Sequence, residues 1–390
     1  MSVTAPAGFV ANGVACGIKP SGDPDLSLVA TADGAAVPAA AVFTQNLVVA
    51  APVTTSRAHL QATGGRAAAV ILNSGNANAC TGHDGAADAE AMCAATADAL
   101  GCAADEVLVC STGLIGPPLP IERITKAVPD LVAGRGGSPV DAVRAAEAIM
   151  TTDTRAKQTA VRGADFVVGG MAKGAAMLAP NMATMLAVLT TDAAVEPDQL
   201  QDVLRAGVAD SFNAITVDGC TSTNDTVILL ASGRAGTPAS LDAFRTAVAE
   251  ACHDLALQMV GDAEGHTKVV KVRVTGAASD DEARRAARKV AESQLVKCSW
   301  YGKDPYWGRV ASDLGTAGVA LDVSALSIAY GGTVVSRGCI EVDHDRAAVA
   351  AHMEGEYLEL TCDLGVGTGE ARILTNDLTH AYVDENMGTS

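Results

Sequence analysis

Apolar positions follow two patterns that alternate from one end of the chain to the other. Short runs rich in Val, Ile and Leu at 68–73 (AAVILN), 106–110 (EVLVC), 185–190 (MLAVLT), 226–231 (TVILLA), 268–274 (KVVKVRV) and 325–330 (ALSIAY) predict strands. Ala-rich stretches with helical spacing at 86–100, 141–150, 198–208, 240–258, 280–292 and 346–353 predict helices, and the interleaving predicts an α/β or α+β protein. Ser240 stands at a cap position, and Asp280, Asp281 and Glu282 precede Arg284, Arg285, Arg288 and Lys289, the order that complements a helix dipole. Two uncharged stretches, 34–56 and 174–191, are broken by Pro38, Gln45, Asn46 and Pro52 and by Pro180, Asn181 and Thr184, so they predict buried core and no membrane span. A shift after the 268–274 strand marks a soft domain boundary, giving 1–275 and 276–390.

Composition then narrows the function. With 390 residues, 49% of them hydrophobic, the chain can bury a core without disulfides or structural metal. A net charge of −18 disfavours a polyanion partner, and aromatics at 3% offer few stacking platforms, so nucleic acid is excluded as a partner. Ten cysteines without a C-x-x-C pair, behind an N-terminus with no secretion signal, predict reduced thiols and a cytoplasmic location.

The residues also exclude several chemistries. Seven His residues show no H-x-x-x-H, and Asp343-His344-Asp345 reads as the first turn of a helix, so no metal is expected. Phosphate-binding loops and the G-x-S-x-G elbow are missing, and Gly365, Gly367 and Gly369 read as a turn between strands, so no nucleotide cofactor is expected either. The unusual segment is GGMAKGAAMLAPNMATMLAVLTTDA (169–193), read as a Gly-rich turn with Lys173 leading through Ala183 and Thr184 into an apolar strand. Thr184 has two readings: a β-branched residue that suits a strand, or a nucleophile released as a new N-terminus by self-cleavage after Ala183. In the second, its α-amine, with an ordinary pKa of about 7.7–8.0, is a built-in base, and Lys173 eases negative charge near the hydroxyl. The turn Ser111-Thr112-Gly113 after strand 106–110 offers a hydroxyl and a backbone N–H to an oxyanion, or is an ordinary turn. Glu264 alone would by default be a surface charge, and Asp218, Thr221 and Asn224 either lie near the site or make side-chain-to-backbone turn bonds, the second being the favoured reading.

The combination is recognisable. AVFTQN (41–46), NSGNANACTG (73–82), STGLIG (111–116), IMTTDTRAK (149–157), the 169–193 segment, SFNAITVDGCTSTNDT (211–226), DAEGHTK (262–268), DPYWGR (304–309) and DLTHAYVDEN (377–386) occur in order along the whole chain. Together they closely resemble the ornithine acetyltransferase (glutamate N-acetyltransferase) family of cyclic arginine biosynthesis. The resemblance implies a layered α/β/β/α sandwich with a smaller C-terminal α+β domain. It implies self-cleavage between Ala183 and Thr184, with an α chain 1–183, a β chain from 184 and an α2β2 heterotetramer. It also implies an acetyl-Thr184 intermediate, an oxyanion hole at Thr112 and Gly113, and substrate contacts at Thr151, Lys173, Thr184, Glu264, Asn386 and Ser390. The expected reaction is ping-pong transfer of acetyl from N-acetylornithine to glutamate, without a cofactor. Whether acetyl-CoA also serves as a co-substrate stays open. The alternatives are an N-terminal-nucleophile aminopeptidase or amidase, and an uncleaved binding protein.

Overall fold

The computed structural model describes residues 2–177 and 185–388, and its chain forms two compact units. The first contains Met1–Asn213 and Cys220–Asp262, the second Ala214–Gly219 and Ala263–Gly388. The boundary expected after residue 275 falls within strand Val269–Ala277. That strand pairs with Tyr357–Asp363 and Gly369–Asn376, so the second unit begins before it.

The first unit holds two sheets. One has four strands in the order Phe9–Val14, Leu26–Thr31, Ala69–Asn76, Val107–Leu114. The other has six, ordered Arg66–Ala67, Val37–Phe43, Thr226–Gly236, Leu186–Ala193, Val167–Lys173, Lys157–Arg162. Alternation decides what each strand faces. Leu28, Ile71 and Val109 turn to helices Gly82–Leu100 and Ile121–Ala133, whereas Val29, Leu72 and Leu108 meet Leu186, Val188 and Ile228 of the second sheet. Helices Pro197–Ala209 and Leu241–Val260 pack on the six-stranded sheet from its other side. The unit is therefore an α/β/β/α sandwich whose central strands are buried on both faces. This is why their sequences are nearly continuous apolar runs.

One expectation needs correction. The segment GGMAK is no turn but the end of strand Val167–Lys173. Gly169 is required within the strand, because a Cβ there would lie 2.2 Å from the Ser2 carbonyl oxygen.

The second unit is α+β. Its six strands run in the order Ile340–Glu341, Thr333–Arg337, Ser327–Tyr330, Tyr357–Asp363, Val269–Ala277, Gly369–Asn376. Val270, Val272, Leu358 and Leu360 join Val290, Trp300 and Met353 of its helices in one core. The opposite face of the sheet carries the ion pairs Lys271–Glu359 (3.1 Å) and Arg273–Glu370 (2.8 Å). Helix Asp280–Ala291 is capped by Ser279, which accepts from Glu282 N, and has acids in its first turn and Arg288 and Lys289 in its last. Asp345 caps Arg346–Glu354 by accepting from Ala348 N at 3.0 Å, the helix-start role read for Asp343-His344-Asp345. No helix among the described residues is long and apolar enough to cross a membrane.

Candidate active site

The parallel strands Ala69–Asn76 and Val107–Leu114 end side by side, Ser74 opposite Thr112 and Gly75 opposite Gly113. Gly75 and Gly113 have φ of 97° and 131°. A Cβ on Gly113 would lie 2.3 Å from the Gly75 carbonyl carbon, so only glycine lets the two backbones approach this closely. Thr112 shares the face of Leu108 and Cys110, toward the core between the sheets, and Lys173 shares the face of Met171 from the opposite sheet. The two polar residues extend rows of apolar ones that converge on the same core. Both are buried, and Lys173 Nζ donates to Thr112 Oγ1 at 3.3 Å.

Asp153 links this pair to Thr151. Its carboxylate accepts from Thr151 N at 3.0 Å and from Gly174 N at 2.7 Å, tying the Thr151 loop to the residue after Lys173. Lys157 Nζ, fully buried, bridges Asp153 at 2.5 Å and Asp262 at 2.6 Å. Burial alone would raise the Asp153 carboxyl, but the Lys173 and Lys157 charges and the Gly174 N–H outweigh it and hold the group at about 2. Asp153 is therefore an anion at neutral pH. A cavity of about 850 Å³ adjoins these groups, lined by Lys19, Asp23, Gly113, Thr151, Asp153 and Arg155 among others. That volume suits a small organic ligand.

Asn224 departs from its expected role. It does bond within its turn, N–H to Ser222 Oγ at 3.1 Å. Its side-chain amide, however, donates to the carbonyls of Ala77 (2.6 Å) and Ser111 (2.9 Å), the latter immediately before Thr112. Asp225 Oδ1 accepts from Met185 N at 3.0 Å. Two consecutive buried residues at the entry to strand Thr226–Gly236 thus brace the STG turn and the residue that follows position 184 in sequence. Burial pushes the Asp225 carboxyl well above its usual range, against the Met185 N–H. An Asn-Asp pair directly before an apolar strand is the only sequence signal for this role, and it is shared with ordinary turns.

Ala183, Thr184 and Ser390 lie outside the described residues. Glu264 and Asn386 belong to the second unit, where Asn386 Nδ2 donates to Glu264 Oε2 at 2.7 Å. Glu264 is buried, unlike the default for a lone acid. A cavity of about 130 Å³ beside it is lined by Asp218, Glu292, Lys297, Asp377 and Tyr382 as well. Burial pulls the Lys297 ammonium down to about 8, against the charges of Asp218, Asp377 and Glu292. Among the described residues, no group of three or more His, Cys, Asp or Glu side chains converges as a metal ion would require.

A model of the ArgJ family matches residues 10–388. The protein named arginine biosynthesis bifunctional protein ArgJ from Mycobacterium tuberculosis (strain H37Rv) is 49% identical over 394 residues, covering 100% of this chain and 96% of the relative. Its namesake from Thermobifida fusca is 46% identical over 392 residues, covering 100% of both. Similar solved structures include ornithine acetyltransferase from Mycobacterium tuberculosis complexed with ornithine. It is 51% identical with a TM-score of 0.44, covering 46% of this chain and 94% of that one. An arginine biosynthesis bifunctional protein from Bacillus halodurans is 36% identical with a TM-score of 0.49, covering 50% and 95%.

Proposed function

The chain belongs to the ArgJ family, and from that premise we propose that it is an acetyltransferase of arginine biosynthesis, carrying acetyl from N2-acetyl-L-ornithine to L-glutamate. The observation that carries this reading is the buried Lys173–Thr112 pair (3.3 Å) beside a cavity lined by Gly113 and Thr151. The name shared by the relatives, a bifunctional protein of arginine biosynthesis, supports a second activity in which acetyl-CoA acetylates glutamate.

The reaction begins with maturation. The Thr184 hydroxyl attacks the Ala183 carbonyl carbon, the peptide C–N bond breaks with its nitrogen taking the proton, and water hydrolyses the resulting ester. This frees an α-amine and a hydroxyl on Thr184. In the first half-reaction the amine accepts the hydroxyl proton while the oxygen attacks the acetyl carbon of N-acetylornithine. Negative charge on the acetyl oxygen is met by Thr112 and the Gly113 N–H, with the Lys173 ammonium behind Thr112. The C–N bond then breaks, ornithine leaves with the proton, and acetyl remains on Thr184. Glutamate's amine reverses these steps. Thr151, Lys173, Glu264, Asn386 and Ser390 complete the substrate contacts, and no metal or cofactor enters. The active form is an α2β2 heterotetramer of chains 1–183 and 184–390 in the cytoplasm.

Separate assays of N-acetylglutamate formation, from N-acetylornithine and from acetyl-CoA, test the reading. Formation of ornithine with N-acetylglutamate in equal amounts supports it. Release of free acetate as the main product would replace it with a hydrolase.

A further inference from the structure

An enzyme that handles two amino acids in turn in one cavity faces a charge problem. The side chain of ornithine ends in an ammonium, and that of glutamate ends in a carboxylate. In the first unit, the cavity wall carries both signs of charge on one tightly held loop. The buried Asp25 carboxylate accepts from four successive backbone N–H groups, those of Cys16 (2.6 Å), Gly17 (3.1 Å), Ile18 (2.6 Å) and Lys19 (3.0 Å). This fixes the backbone at Lys19, which lines the cavity together with Ser21 and Asp23 of the same loop.

Lys19 is also close to the chemistry. Its stem lies on Gly75, where a Cβ would come within 3.2 Å of Lys19 Cγ, and Gly75 is the strand partner of Gly113. One glycine therefore separates the Lys19 stem from the STG turn. Lys19 Nζ donates to the Pro24 carbonyl at 2.7 Å, which uses one of the three N–H groups of an ammonium. Burial pulls this ammonium below its usual range, against Asp25, Asp23 and Asp153. A cation so placed interacts more strongly with a ligand charge than one in bulk water does.

We propose that Lys19 is a specificity-determining contact for the side-chain carboxylate of the acidic acceptor amino acid, and that Asp23 on the same loop favours the ammonium-ended donor. The proposal rests on the transferase reading above. Both substrates share an α-carboxylate, so a wall of mixed sign matches the group in which they differ.

Calorimetric titration of the purified, self-processed protein with L-glutamate and with L-ornithine tests it. Lys19→Met weakens glutamate binding by about 10-fold or more and leaves ornithine within about 3-fold, while Asp23→Asn does the reverse. Lys19→Gln keeps a donor for the Pro24 carbonyl, guards against a folding defect, and shows the same selective loss. Equal weakening of both ligands, no weakening, or a wild-type chain that does not bind glutamate overturns the proposal. A wild-type chain that binds glutamate but transfers no acetyl refutes the transferase reading instead, and the glutamate affinities still decide the role of Lys19.

Discussion

Gly113→Ala puts the oxyanion turn to a quantitative test. Gly113 sits at φ 131°, and an added Cβ meets three backbone atoms of the neighbouring strand: Gly75 C at 2.3 Å, Asn76 N at 2.5 Å and Gly75 Cα at 2.7 Å. Real Cβ atoms essentially never come within 3.0 Å, so the strands must part by roughly 0.7 Å, and backbone cannot give way as a side-chain tip can. Two costs of different kind follow. An L-residue held in so sparsely populated a backbone region costs about 1–3 kcal/mol, a minor part of a typical folding stability of about 5–15 kcal/mol. Moving the Gly113 N–H away from the developing oxyanion costs far more in rate, because a misplacement of about 1 Å lowers turnover by about 10²-fold. We therefore expect a folded variant whose kcat for acetyl transfer, per cleaved chain, falls about 10²-fold with little change in KM. Gly75→Ala is the control. It is also strained, at φ 97°, but its Cβ meets the side-chain atoms Ile18 Cγ2 (3.0 Å) and Lys19 Cγ (3.2 Å), which can shift. Its kcat should fall by less than about 10-fold. Steady-state transfer assays, paired with thermal unfolding and denaturing electrophoresis, read all of these quantities. A stable Gly113→Ala chain with kcat within about 3-fold of wild type would refute the reasoning.

Three further outcomes follow from buried charges and hydrogen bonds. Lys157→Met removes the buried ammonium shared by Asp153 and Asp262 and should cost about 3–5 kcal/mol in urea unfolding at neutral pH, with the deficit shrinking as acid protonates the pair; a deficit independent of pH would contradict this. Burial favours the uncharged form of the Asp225 carboxyl, so Asp225→Asn, whose amide oxygen still accepts from Met185 N, should be tolerated, whereas Asp225→Ala leaves that N–H unpaired and should cost about 1–3 kcal/mol. Equal damage from both, measured by thermal unfolding, would show that an amide oxygen cannot replace the carboxyl as acceptor. Burial holds the folded Lys297 ammonium at about 8, below the ordinary lysine value of about 10.4, so between these the unfolded chain binds more protons and folding stability rises with pH. Lys297→Met should lack that rise, on the order of 3 kcal/mol, when urea unfolding is compared near pH 7.5 and pH 10.

Much of the first unit was legible in the sequence because of how its strands are buried. Ala69–Asn76, Val107–Leu114 and Leu186–Ala193 are covered on both faces, which leaves continuous apolar runs in the sequence. Val167–Lys173 escaped because Gly169 and Gly170 lower strand propensity, and the close approach of Ser2 that demands Gly169 involves a segment far away in sequence. Helix Ile121–Ala133 carries Pro129 in its interior, which reads as a breaker. Within the site, Thr112, Gly113 and Lys173 were marked by residue type and sharpened by family resemblance, and Thr151 by the resemblance alone. The bracing role of Asn224 and Asp225 was not legible, since their partners Ala77, Ser111 and Met185 lie well apart from them in sequence and only the packing of the two sheets brings them together. Glu264 is similar: one acid has no pattern of its own, and its burial follows from the fold of the second unit.

The central claim is that Thr184 is a processed N-terminus that carries acetyl between two amino acids. Peptide mass mapping of the purified protein, after exposure to N-acetylornithine without glutamate, addresses it most directly. The account predicts a peptide beginning at Thr184 that gains the mass of one acetyl group and loses it when glutamate is added, with N-acetylglutamate appearing in equal amount. An uncleaved Ala183–Thr184 bond in active protein, or an acetyl group that glutamate does not remove, would contradict it.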